Sequence, residues 1–565
     1  KQLKYKFKET KILDMQIALA QLNYIVGDIS GNSQLILKQI EKATANGTDL
    51  IVFSELSICG YPPLDLLERR AFVESSLAAI EDIATLVPEE LGVIIGGPEI
   101  NSEDEGKLLY NSAFFLNNGK IKNVFRKSLL PTYDIFDEYR YFEPNKDFSI
   151  LKFKNKKIAV TICEDLWDDQ PDEKEFSRSR LYKIHPLEEM MAHGPEAVIN
   201  IAASPFSAGK HNIKKQIFTD KAKKHALPVI MVNQIGANTE LIFEGGSFIA
   251  SPDGNIYHQL ALFENDYYEF DLDDIKSNKN QIIKNNYDRI ALIHDALVLG
   301  IRDYFIKSGF NKATLGLSGG IDSAVTLALA EKALGNEKIH VLLMPSQYSS
   351  NHSIEDSVLM ADNLGIKYSI IAIEDIFNLY KDALTPIFQN LPEGTAEENI
   401  QSRIRGTLLM ALSNKLGNIL LNTSNKSETA VGYGTLYGDM AGGLSALGDV
   451  YKNDVYKLAK HINLEKEIIP QNIIAKPPSA ELKPDQKDSD SLPDYDTLDE
   501  ILDLYIEKQI VSDQIIEMGY DKTIVNKITR LVNINEYKRY QTPPILRISS
   551  KAFGIGRRIP IVGKY

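Results

Sequence analysis

The sequence predicts an α/β protein of two domains, each built on sheets that helices cover. A chain of 565 residues has room for roughly two or three domains. In both halves, short runs rich in apolar residues alternate with longer helical segments, and several of these runs are apolar on both faces. A polar stretch at 271–287 separates the halves. We therefore expect one domain at 15–270, a linker at 271–287 and a second domain at 288–565.

The first half predicts a layered α/β domain. Strands are expected at 15–21, 49–55, 92–98, 110–117, 156–163, 196–204 and 228–236. Helices are expected at 32–46, 71–86, 184–193 and 209–225. Because several strands are apolar on both faces, these helices must cover the outer faces of the sheets.

The second half predicts a Rossmann-like, doubly wound parallel sheet. Strand-like runs at 313–317, 339–346, 368–373 and 418–425 alternate with helical segments at 324–334, 353–364 and 396–416. This alternation is typical of βαβ units, whose parallel strands bind nucleotides beyond their carboxyl ends. A polar connection rich in turn residues at 482–500 predicts a mobile loop that orders over this site when the nucleotide binds.

The loop after the first strand of the second half is Ser-Gly-Gly-Ile-Asp-Ser at 318–323, directly before a helix. Free backbone N–H groups and the helix dipole favour an anion there, and the two glycines let the backbone approach it. No lysine follows the glycines, so this is not the GxxxxGK[ST] loop. We predict that the loop binds pyrophosphate and that Asp322 offers an oxygen ligand to Mg²⁺.

This loop resembles the pyrophosphate loop of N-type ATP pyrophosphatases. In that superfamily a substrate oxygen attacks the α-phosphate of ATP, pyrophosphate leaves, and the activated carbon is open to ammonia or sulfur. The resemblance implies an adenine nucleotide α-hydrolase-like fold with ATP as a substrate. It places ATP against Gly316, Leu317, Ser318, Gly319, Gly320, Ile321, Asp322 and Ser323.

Three reactive residues of the first half lie at the ends of strand-like runs. Glu55 ends one run, Lys127 follows another, and Cys163 ends the buried run at 156–163. Brought together, the thiol can act as nucleophile, Lys127 can favour the thiolate and the oxyanion, and Glu55 can act as general base and acid. A lone cysteine is more often a packing residue, which is our expectation for Cys59.

In the same chain order, these segments resemble the Glu-Lys-Cys triad of the nitrilase (carbon–nitrogen hydrolase) family. The resemblance implies an αββα sandwich that hydrolyses a carbon–nitrogen bond through Cys163. It also implies that Glu138 orients Lys127 and that the backbone N–H of Glu164 joins Lys127 in an oxyanion hole. By resemblance to glutamine-hydrolysing members, the groups that hold glutamine are Tyr133, Ser204 and Lys210.

Further segments of the second half resemble the NAD⁺ synthetase family, and with the triad the chain resembles the glutamine-dependent branch. They are ENIQSRIRG (398–406), NTSNKSE (422–428), YGDMAGG (437–443), KPPSAEL (476–482), EYKRYQTPP (536–544) and FGIGRRIPI (553–561). The resemblance implies ATP contacts from Thr423, Lys452 and Ser479. It implies deamido-NAD⁺ contacts from Asn399, Arg403, Glu428, Asp439 and Lys538. The implied Mg²⁺ ligands are Asp322 and Glu428.

The implied function is ATP-dependent amidation of deamido-NAD⁺ to NAD⁺, with ammonia released from L-glutamine and with AMP, pyrophosphate and glutamate as the other products. Another glutamine-fed adenylating amidotransferase and a non-catalytic adenine-nucleotide sensor stay open as alternatives. An intact Glu-Lys-Cys set argues against the sensor. A tRNA-thiolating enzyme on the same loop is disfavoured, because it would need a basic face and paired cysteines.

Bulk properties restrict the partners. A net charge of −14 argues against non-specific binding to nucleic acid or to an anionic membrane. The sequence contains no apolar run of about 18 residues, so we expect no transmembrane helix. Residues 1–14 are a polar extension without the apolar core of a secretory signal. Two distant cysteines give neither a disulfide framework nor a metal-ligand spacing, so we expect a cytoplasmic location. The expected partners are small molecules, namely L-glutamine, ATP and deamido-NAD⁺. The family resemblance suggests a homo-oligomer, a dimer or higher.

Overall fold

The computed structural model describes residues 15–169, 181–276, 287–389, 391–479, 481–484 and 486–564. The predicted polar extension at 1–14 and residues 277–286 of the predicted linker lie outside the described residues. The described strands form two six-stranded sheets and a hairpin in the first half and a five-stranded sheet in the second half. Among the described helices, none is both long enough and apolar enough to cross a membrane.

The first half contains fourteen described strands and five helices. The strands are β1 (Gln16–Gln21), β2 (Leu50–Val52), β3 (Gly92–Ile100), β4 (Leu109–Asn117), β5 (Lys120–Arg126), β6 (Leu151–Phe153), β7 (Lys156–Ile162), β8 (Ala197–Ala202), β9 (Val229–Asn233), β10 (Ile235–Asn238), β11 (Leu241–Glu244), β12 (Phe248–Ala250), β13 (Ile256–Gln259) and β14 (Asp266–Asp271). The helices are α1 (Ile29–Asn46), α2 (Arg70–Thr85), α3 (Pro186–Met191), α4 (Lys210–His225) and α5 (Leu272–Lys276).

These elements form the expected αββα sandwich. One sheet has the strand order β14-β1-β2-β3-β4-β5 and the other has β13-β12-β9-β8-β7-β6. Apolar side chains of both sheets, such as Leu19 and Ile199, share one core between them. Ile36 of α1 and Ile80 of α2 pack on the outer face of the first sheet, and Phe218 of α4 packs against the second. The predicted fold class is confirmed for this half.

The seven predicted strands are present, and β5 corresponds to the strand-like run before Lys127, whereas β6 and β11–β14 have no counterpart in the sequence prediction. The predicted strand at 228–236 covers β9 and the start of β10. β8 is buried at every position, and such a continuous apolar run is easy to recognise. The edge strand β14 is half-exposed along most of its length and contains polar residues, so it lacks that signal. Its polar groups lie beside β1, with which it pairs antiparallel.

The second half contains five strands and twelve described helices. The strands are β15 (Ala313–Gly316), β16 (Ile339–Leu343), β17 (Lys367–Ile370), β18 (Ile419–Asn422) and β19 (Leu444–Ser445). The helices are α6 (Arg289–Lys307), α7 (Ile321–Leu334), α8 (Asn351–Leu364), α9 (Glu374–Phe388), α10 (Thr395–Leu416), α11 (Lys426–Val431), α12 (Lys452–Ile462), α13 (Gln471–Ala475), α14 (Tyr495–Leu502), α15 (Ser512–Glu517), α16 (Lys522–Ile534) and α17 (Glu536–Arg539).

All pairs in this sheet are parallel, and its strand order is β17-β16-β15-β18-β19. The order reverses between β15 and β18, so a crevice for a ligand opens beyond the carboxyl ends of these two strands. The predicted doubly wound sheet is confirmed.

The expectation of a mobile loop through residue 500 is wrong at its carboxyl end. α14 begins at Tyr495, and the side chain of Asp494 accepts a hydrogen bond from the backbone N–H of Thr497 at 2.9 Å. Leu498 and Ile501 are fully buried in the same cluster as Val525 of α16. An N-cap and a buried apolar face therefore make this end of the segment helical.

The two halves share a packed interface. Ile242 of β11 and Leu297 of α6 belong to one apolar core, and Asn23 Nδ2 donates to Asp303 Oδ2 at 2.8 Å. In the predicted linker, Leu272 and Ile275 are buried in the core of the first half. The exact domain boundaries stay a prediction.

Candidate active sites

Glu55 and Lys127 meet in the interior of the first half. Both side chains are fully buried, and Lys127 Nζ lies 2.7 Å from Glu55 Oε1. Asn111 Nδ2 donates to Glu55 Oε1 at 2.8 Å, and the backbone N–H of Ala203 donates to Oε2 at 2.9 Å. Each carboxylate oxygen therefore has a fixed partner, which orients the candidate base.

Glu138 holds Lys127 from its other side. Lys127 Nζ donates to both carboxylate oxygens of Glu138, at 2.8 and 2.7 Å, and Tyr61 OH donates to Oε1 at 2.8 Å. Burial acts to lower the pKa of Lys127, but the facing carboxylates of Glu138 and Glu55 raise it well above its usual range. Lys127 is therefore a permanent cation, suited to stabilise negative charge.

Cys163 follows β7 and begins a short 3₁₀ turn, Cys163–Leu166. Its φ of 42° lies in the left-handed region, which is rare for a residue with a side chain and common at functional sites. The carboxylate of Asp165 secures the turn, because it accepts hydrogen bonds from the backbone N–H groups of Ser128, Leu129 and Ile162 at 2.9 to 3.0 Å. The same carboxylate thus ties the Cys163 turn to the chain after Lys127.

The charges of the other two members of the predicted triad act on the Cys163 thiol. Burial and then the Glu55 carboxylate raise its pKa well above the usual range, and Lys127 opposes them. Lys127 acts in the predicted direction, yet the resting residue is a thiol and not a thiolate. Nucleophilic attack thus requires a base to remove the proton. Cys59 is a buried packing residue, and burial raises its pKa to about 12.

Two of the predicted glutamine-binding residues, Tyr133 and Lys210, interact with the carboxylate of Glu164. Tyr133 OH and Tyr182 OH both donate to Glu164 Oε1 at 2.9 Å. Lys210 lies 4.7 Å from the ring centroid of Trp167; burial lowers its pKa, and the charge of Glu164 opposes that shift. Ser204 is buried just past β8, with its backbone N–H bonded to Asn233 Oδ1. A buried acid and a cation thus lie beside the candidate nucleophile.

The phosphate loop between β15 and α7 has the predicted form. Gly319 has a φ of +75°, and a Cβ atom there would lie 2.6 Å from the carbonyl oxygen of Ser353. Ser318 Oγ lies 3.2 Å from Ser323 Oγ, so the hydroxyls close the loop. Gly320 caps α7 without a side-chain hydrogen bond, so the first N–H groups of this 14-residue helix can bind an anion.

Asp322 and Glu428 converge on one ammonium group. Lys452 Nζ lies 2.6 Å from Asp322 Oδ2 and 3.0 Å from Glu428 Oε1. Asn425 Nδ2 orients Asp322 by donating to its other oxygen at 2.8 Å. Burial raises the pKa of Glu428 to about 7, although the Lys452 ammonium opposes that shift. Carboxylate oxygens are hard donors of the kind that Mg²⁺ prefers, so these two side chains fit that ion.

These groups line one cavity at the crevice of the sheet. Of the predicted nucleotide and metal residues, those that line it are Gly316, Leu317, Ser318, Gly319, Gly320, Ile321, Asp322, Ser323, Thr423, Glu428, Asp439, Lys452 and Ser479. The lining comes from segments more than 150 residues apart in the sequence, as expected for a crevice at a topological switch point.

Three predicted deamido-NAD⁺ residues lie outside the lining of this cavity, against the glycine-rich segment at 432–438. Arg403 Nε donates to Leu436 O at 3.2 Å, and Lys538 Nζ donates to Gly432 O at 2.8 Å. Asn399 Oδ1 accepts from Thr435 Oγ1 at 2.7 Å. Asp439 lines the cavity and also accepts from the backbone N–H of Thr435, so it connects the two regions.

Sequence reasoning gave no role to several side chains that line the cavity or the thiol site. Lys476 pairs with Glu481 at 2.6 Å, and Asp488 accepts from Tyr495 OH at 2.9 Å. Arg405 lines the cavity on α10. The carboxylate of Glu164 was also missed, although its position directly after Cys163 was a usable signal.

Two family models match the two halves. Residues 16–171 match the carbon–nitrogen hydrolase model, and residues 293–542 match the NAD synthase model. Over 550 residues the chain is 46% identical to the glutamine-dependent NAD(+) synthetase of Synechocystis sp., covering 96% of this chain and 98% of that protein. The glutamine-dependent NAD(+) synthetase of Thermotoga maritima is 39% identical over 98% of this chain and 99% of its own length.

Two solved structures cover the same length. The glutamine-dependent NAD⁺ synthetase of Acinetobacter baumannii in complex with ADP is 38% identical, with a TM-score of 0.76, over 97% of this chain and 98% of that chain. The enzyme of Cytophaga hutchinsonii has a TM-score of 0.81 over the same shares at 20% identity, which shows likeness of fold.

Proposed function

This chain belongs to the glutamine-dependent NAD(+) synthetases, carbon–nitrogen ligases that amidate deamido-NAD⁺ with ATP, and on that premise we propose how its residues divide the reaction. The first half hydrolyses glutamine, and the second half activates and amidates deamido-NAD⁺. One observation carries the proposal. A buried set of Glu55, Lys127 and Cys163 and a phosphate-binding cavity lie in the two halves of one chain.

In the first half, Glu55 removes the proton of the Cys163 thiol as the sulfur attacks the glutamine amide carbon. Lys127 and the backbone N–H of Glu164 stabilise the oxyanion that forms. Glu55 then gives its proton to the leaving ammonia, and water hydrolyses the thioester to glutamate. The raised pKa of Cys163 supports this order, because attack must begin with proton removal.

Glutamine recognition requires charges of both signs. We assign the α-carboxylate to Lys210 and Ser204, and the α-ammonium to Tyr133 and the buried carboxylate of Glu164. The hydrogen bonds from Tyr133 and Tyr182 support a fixed orientation of that carboxylate. A charged hydrogen bond of this kind contributes about 1.5–3 kcal/mol.

In the second half, the loop Gly316–Ser323 and Lys452 bind the phosphates of ATP, with Thr423 and Ser479 as further contacts. Asn399, Arg403, Glu428, Asp439 and Lys538 bind deamido-NAD⁺. The nicotinate carboxylate attacks the α-phosphorus, pyrophosphate leaves, and ammonia then displaces AMP from the mixed anhydride. The solved relative from A. baumannii binds ADP, which supports an adenine nucleotide in this cavity.

Asp322 and Glu428 would hold Mg²⁺, which neutralises phosphate charge when bound. Burial raises the pKa of Glu428 to about 7 against the opposing effect of Lys452, which supports a site where a bound cation would favour the ionised form of this carboxylate. Asp322 further gains a fixed orientation from Asn425.

We propose that the enzyme is a cytoplasmic homo-oligomer. Large apolar side chains of the second half are exposed on and after α9, including Leu379 (69%), Ile387 (72%) and Leu391 (74%). Clustered exposed apolar residues mark association surfaces, and a second copy of the chain is the partner we assign. Consumption of ATP and two free cysteine thiols support the cytoplasm.

The two proposed sites can be separated by substitution. Cys163→Ala should abolish NAD⁺ formation from glutamine and leave formation from ammonium salts within about twofold of wild type, since the second half needs no thiol. Asp322→Ala should abolish synthesis from either nitrogen source while glutamate production from glutamine persists. NAD⁺, AMP and glutamate are measured in parallel. Loss of ammonia-dependent synthesis in a folded Cys163→Ala enzyme would contradict two separate sites.

A further inference from the structure

Arg405 is a cationic side chain of the nucleotide cavity to which neither half-reaction above assigns a role. It lies on α10, and the face of that helix that lines the cavity carries Ser402, Arg405, Gly406 and Leu409. These positions follow the spacing of one helical face. Arg405 is only partly exposed, so its charge lies within the cavity wall and not in bulk water.

The base of the guanidinium is held beside the phosphate loop. Arg405 Nε donates to the carbonyl oxygen of Met344 at 3.1 Å, one residue beyond the end of β16. The last pair of the parallel ladder joins Gly316 of β15 to Leu342 of β16, and Met344 follows two residues later, at the end of the sheet where the loop begins. One turn along α10, Leu409 packs within 3.4 Å of the Cβ position of Gly316.

The other cations that line the cavity are already paired. Lys452 bonds to Asp322 and Glu428, and Lys476 pairs with Glu481. Among the residues that the structure describes, no carboxylate lies within ion-pair distance of Arg405, and its one hydrogen bond uses only Nε. Its two terminal NH₂ groups are therefore available to a ligand.

Arg405 is charged at neutral pH. Burial lowers its pKa to about 10, and the more distant carboxylates of Glu481 and Asp439 raise it. A cation partly withdrawn from water without a counter-charge is unfavourable, so the cavity is built for an anion at this position. A guanidinium suits phosphate especially well, because its two donors can contact two oxygens at once.

We propose that Arg405 is a phosphate-binding residue of the synthetase site and that its guanidinium contacts the triphosphate of ATP on the β16 side of the loop. The inference rests on the proposed function of this cavity and adds a contact to it. Phosphate is favoured over the carboxylate of deamido-NAD⁺, because Met344, which anchors Arg405, also lies 3.3 Å from the Cβ position of Gly316 at the base of the loop, whereas Arg403 and Lys538 lie against the segment at 432–438.

Arg405→Lys and Arg405→Met test the assignment in the full chain with ammonium as nitrogen source. KM is measured separately for ATP and deamido-NAD⁺, and the affinity for a non-hydrolysable ATP analogue is measured by calorimetry. We expect ATP affinity to fall roughly tenfold to hundredfold in Arg405→Met, the range of a lost charged hydrogen bond, and less in Arg405→Lys. Lys415→Met, an exposed change on the same helix, is the control.

The outcomes distinguish this inference from the function on which it rests. An unchanged ATP affinity in Arg405→Met overturns the inference, as does a raised KM for deamido-NAD⁺ alone. Failure of the wild-type enzyme to form AMP overturns the proposed function instead. Glutamate production from glutamine, which depends on the first half, shows whether each variant is folded. If Arg405→Met does not fold, the ATP affinity of Arg405→Lys tests the inference in its place.

Discussion

At the scale of single residues, the thiol site combines backbone strain with buried charge. Cys163 holds a positive φ at the end of a buried strand, where Asp165 fixes three backbone N–H groups around it. Burial and the Glu55 carboxylate raise the pKa of the thiol, and Lys127 opposes them. The enzyme at rest therefore keeps Cys163 as a thiol near Glu55, the base that we propose for it.

The raised pKa of the Cys163 thiol predicts how its alkylation by iodoacetamide depends on pH. Because the folded pKa lies above the usual value of about 8.5, the thiolate fraction at Cys163 should rise about tenfold per pH unit from pH 7 through pH 9 without a plateau. Lys127→Met should slow alkylation further, since Lys127 lowers that pKa. Peptide mass spectrometry measures the modified fraction, and Cys163→Ala controls for Cys59. A plateau below pH 8 would show a depressed pKa and contradict this account.

Sequence reasoning identified residues where chemistry and strand ends coincide. Glu55, Lys127 and Cys163 could be found because each follows a recognisable strand or strand-like run. Arg405 could not, because its role depends on which way a helix face points, whereas the Glu164 carboxylate was overlooked although Glu164 directly follows Cys163. Burial of the Cys163 thiol, which decides its resting state, is likewise set by contacts between distant segments.

At the scale of elements, the phosphate loop shows why glycine is needed at one of its two adjacent positions. Gly319 combines a φ of +75° with a Cβ position 2.6 Å from the carbonyl oxygen of Ser353. Gly320 has a φ of −92°, and its Cβ position meets only the rotatable hydroxyl of Ser318 at 3.3 Å. The first glycine is required by the fold, and the second tolerates a methyl group in the ligand-free protein.

We therefore expect Gly319→Ala to lower the stability of the ligand-free protein by about 1–3 kcal/mol, the range for a strained left-handed residue. Gly320→Ala should change it by much less. Chemical denaturation followed by circular dichroism provides the measurement, and the two variants are matched in chemistry and position. Equal destabilisation by both would show that the conformation of Gly319 is not the cause.

Elements with continuous or strictly placed apolar residues were predictable, and those whose apolar residues are exposed or sparse were not. The parallel strands β7, β8 and β9 were recognised from their buried runs. α9 was missed, since it has Pro386 inside and leaves Leu379 and Ile387 exposed. α14 was missed because its acidic, turn-rich surroundings outweighed the signal of a few buried leucines and isoleucines.

At the scale of the whole molecule, the two halves are joined by contacts close to the proposed glutamine-binding residues. The side chain of Arg547, from the second half, pairs with Asp134, the neighbour of Tyr133, and Lys551 lies 3.5 Å from the same carboxylate. Ammonia in bulk water at neutral pH is mostly ammonium, which is not a nucleophile. We therefore propose that ammonia passes directly between the halves through a water-poor passage.

The exposed apolar surface of α9 predicts self-association. The wild-type chain should run as a dimer or higher oligomer in size-exclusion chromatography with light scattering. The double change Leu379→Glu and Ile387→Glu should shift it towards the monomer, because burying two carboxylates at an interface is unfavourable. Leu86→Glu, at an exposed leucine of the first half, is the control. A wild-type monomer, or an unchanged size for the double variant, would exclude this interface.

The central claim is that a thiol hydrolase in one half supplies the nitrogen that an ATP-dependent site in the other half consumes. It is tested most directly with amide-¹⁵N glutamine, ATP, Mg²⁺ and deamido-NAD⁺ in the presence of modest unlabelled ammonium. The account predicts NAD⁺ with ¹⁵N in its carboxamide, accompanied by AMP, pyrophosphate and glutamate in equal amounts. Formation of neither glutamate nor AMP, or NAD⁺ carrying only unlabelled nitrogen, would contradict it.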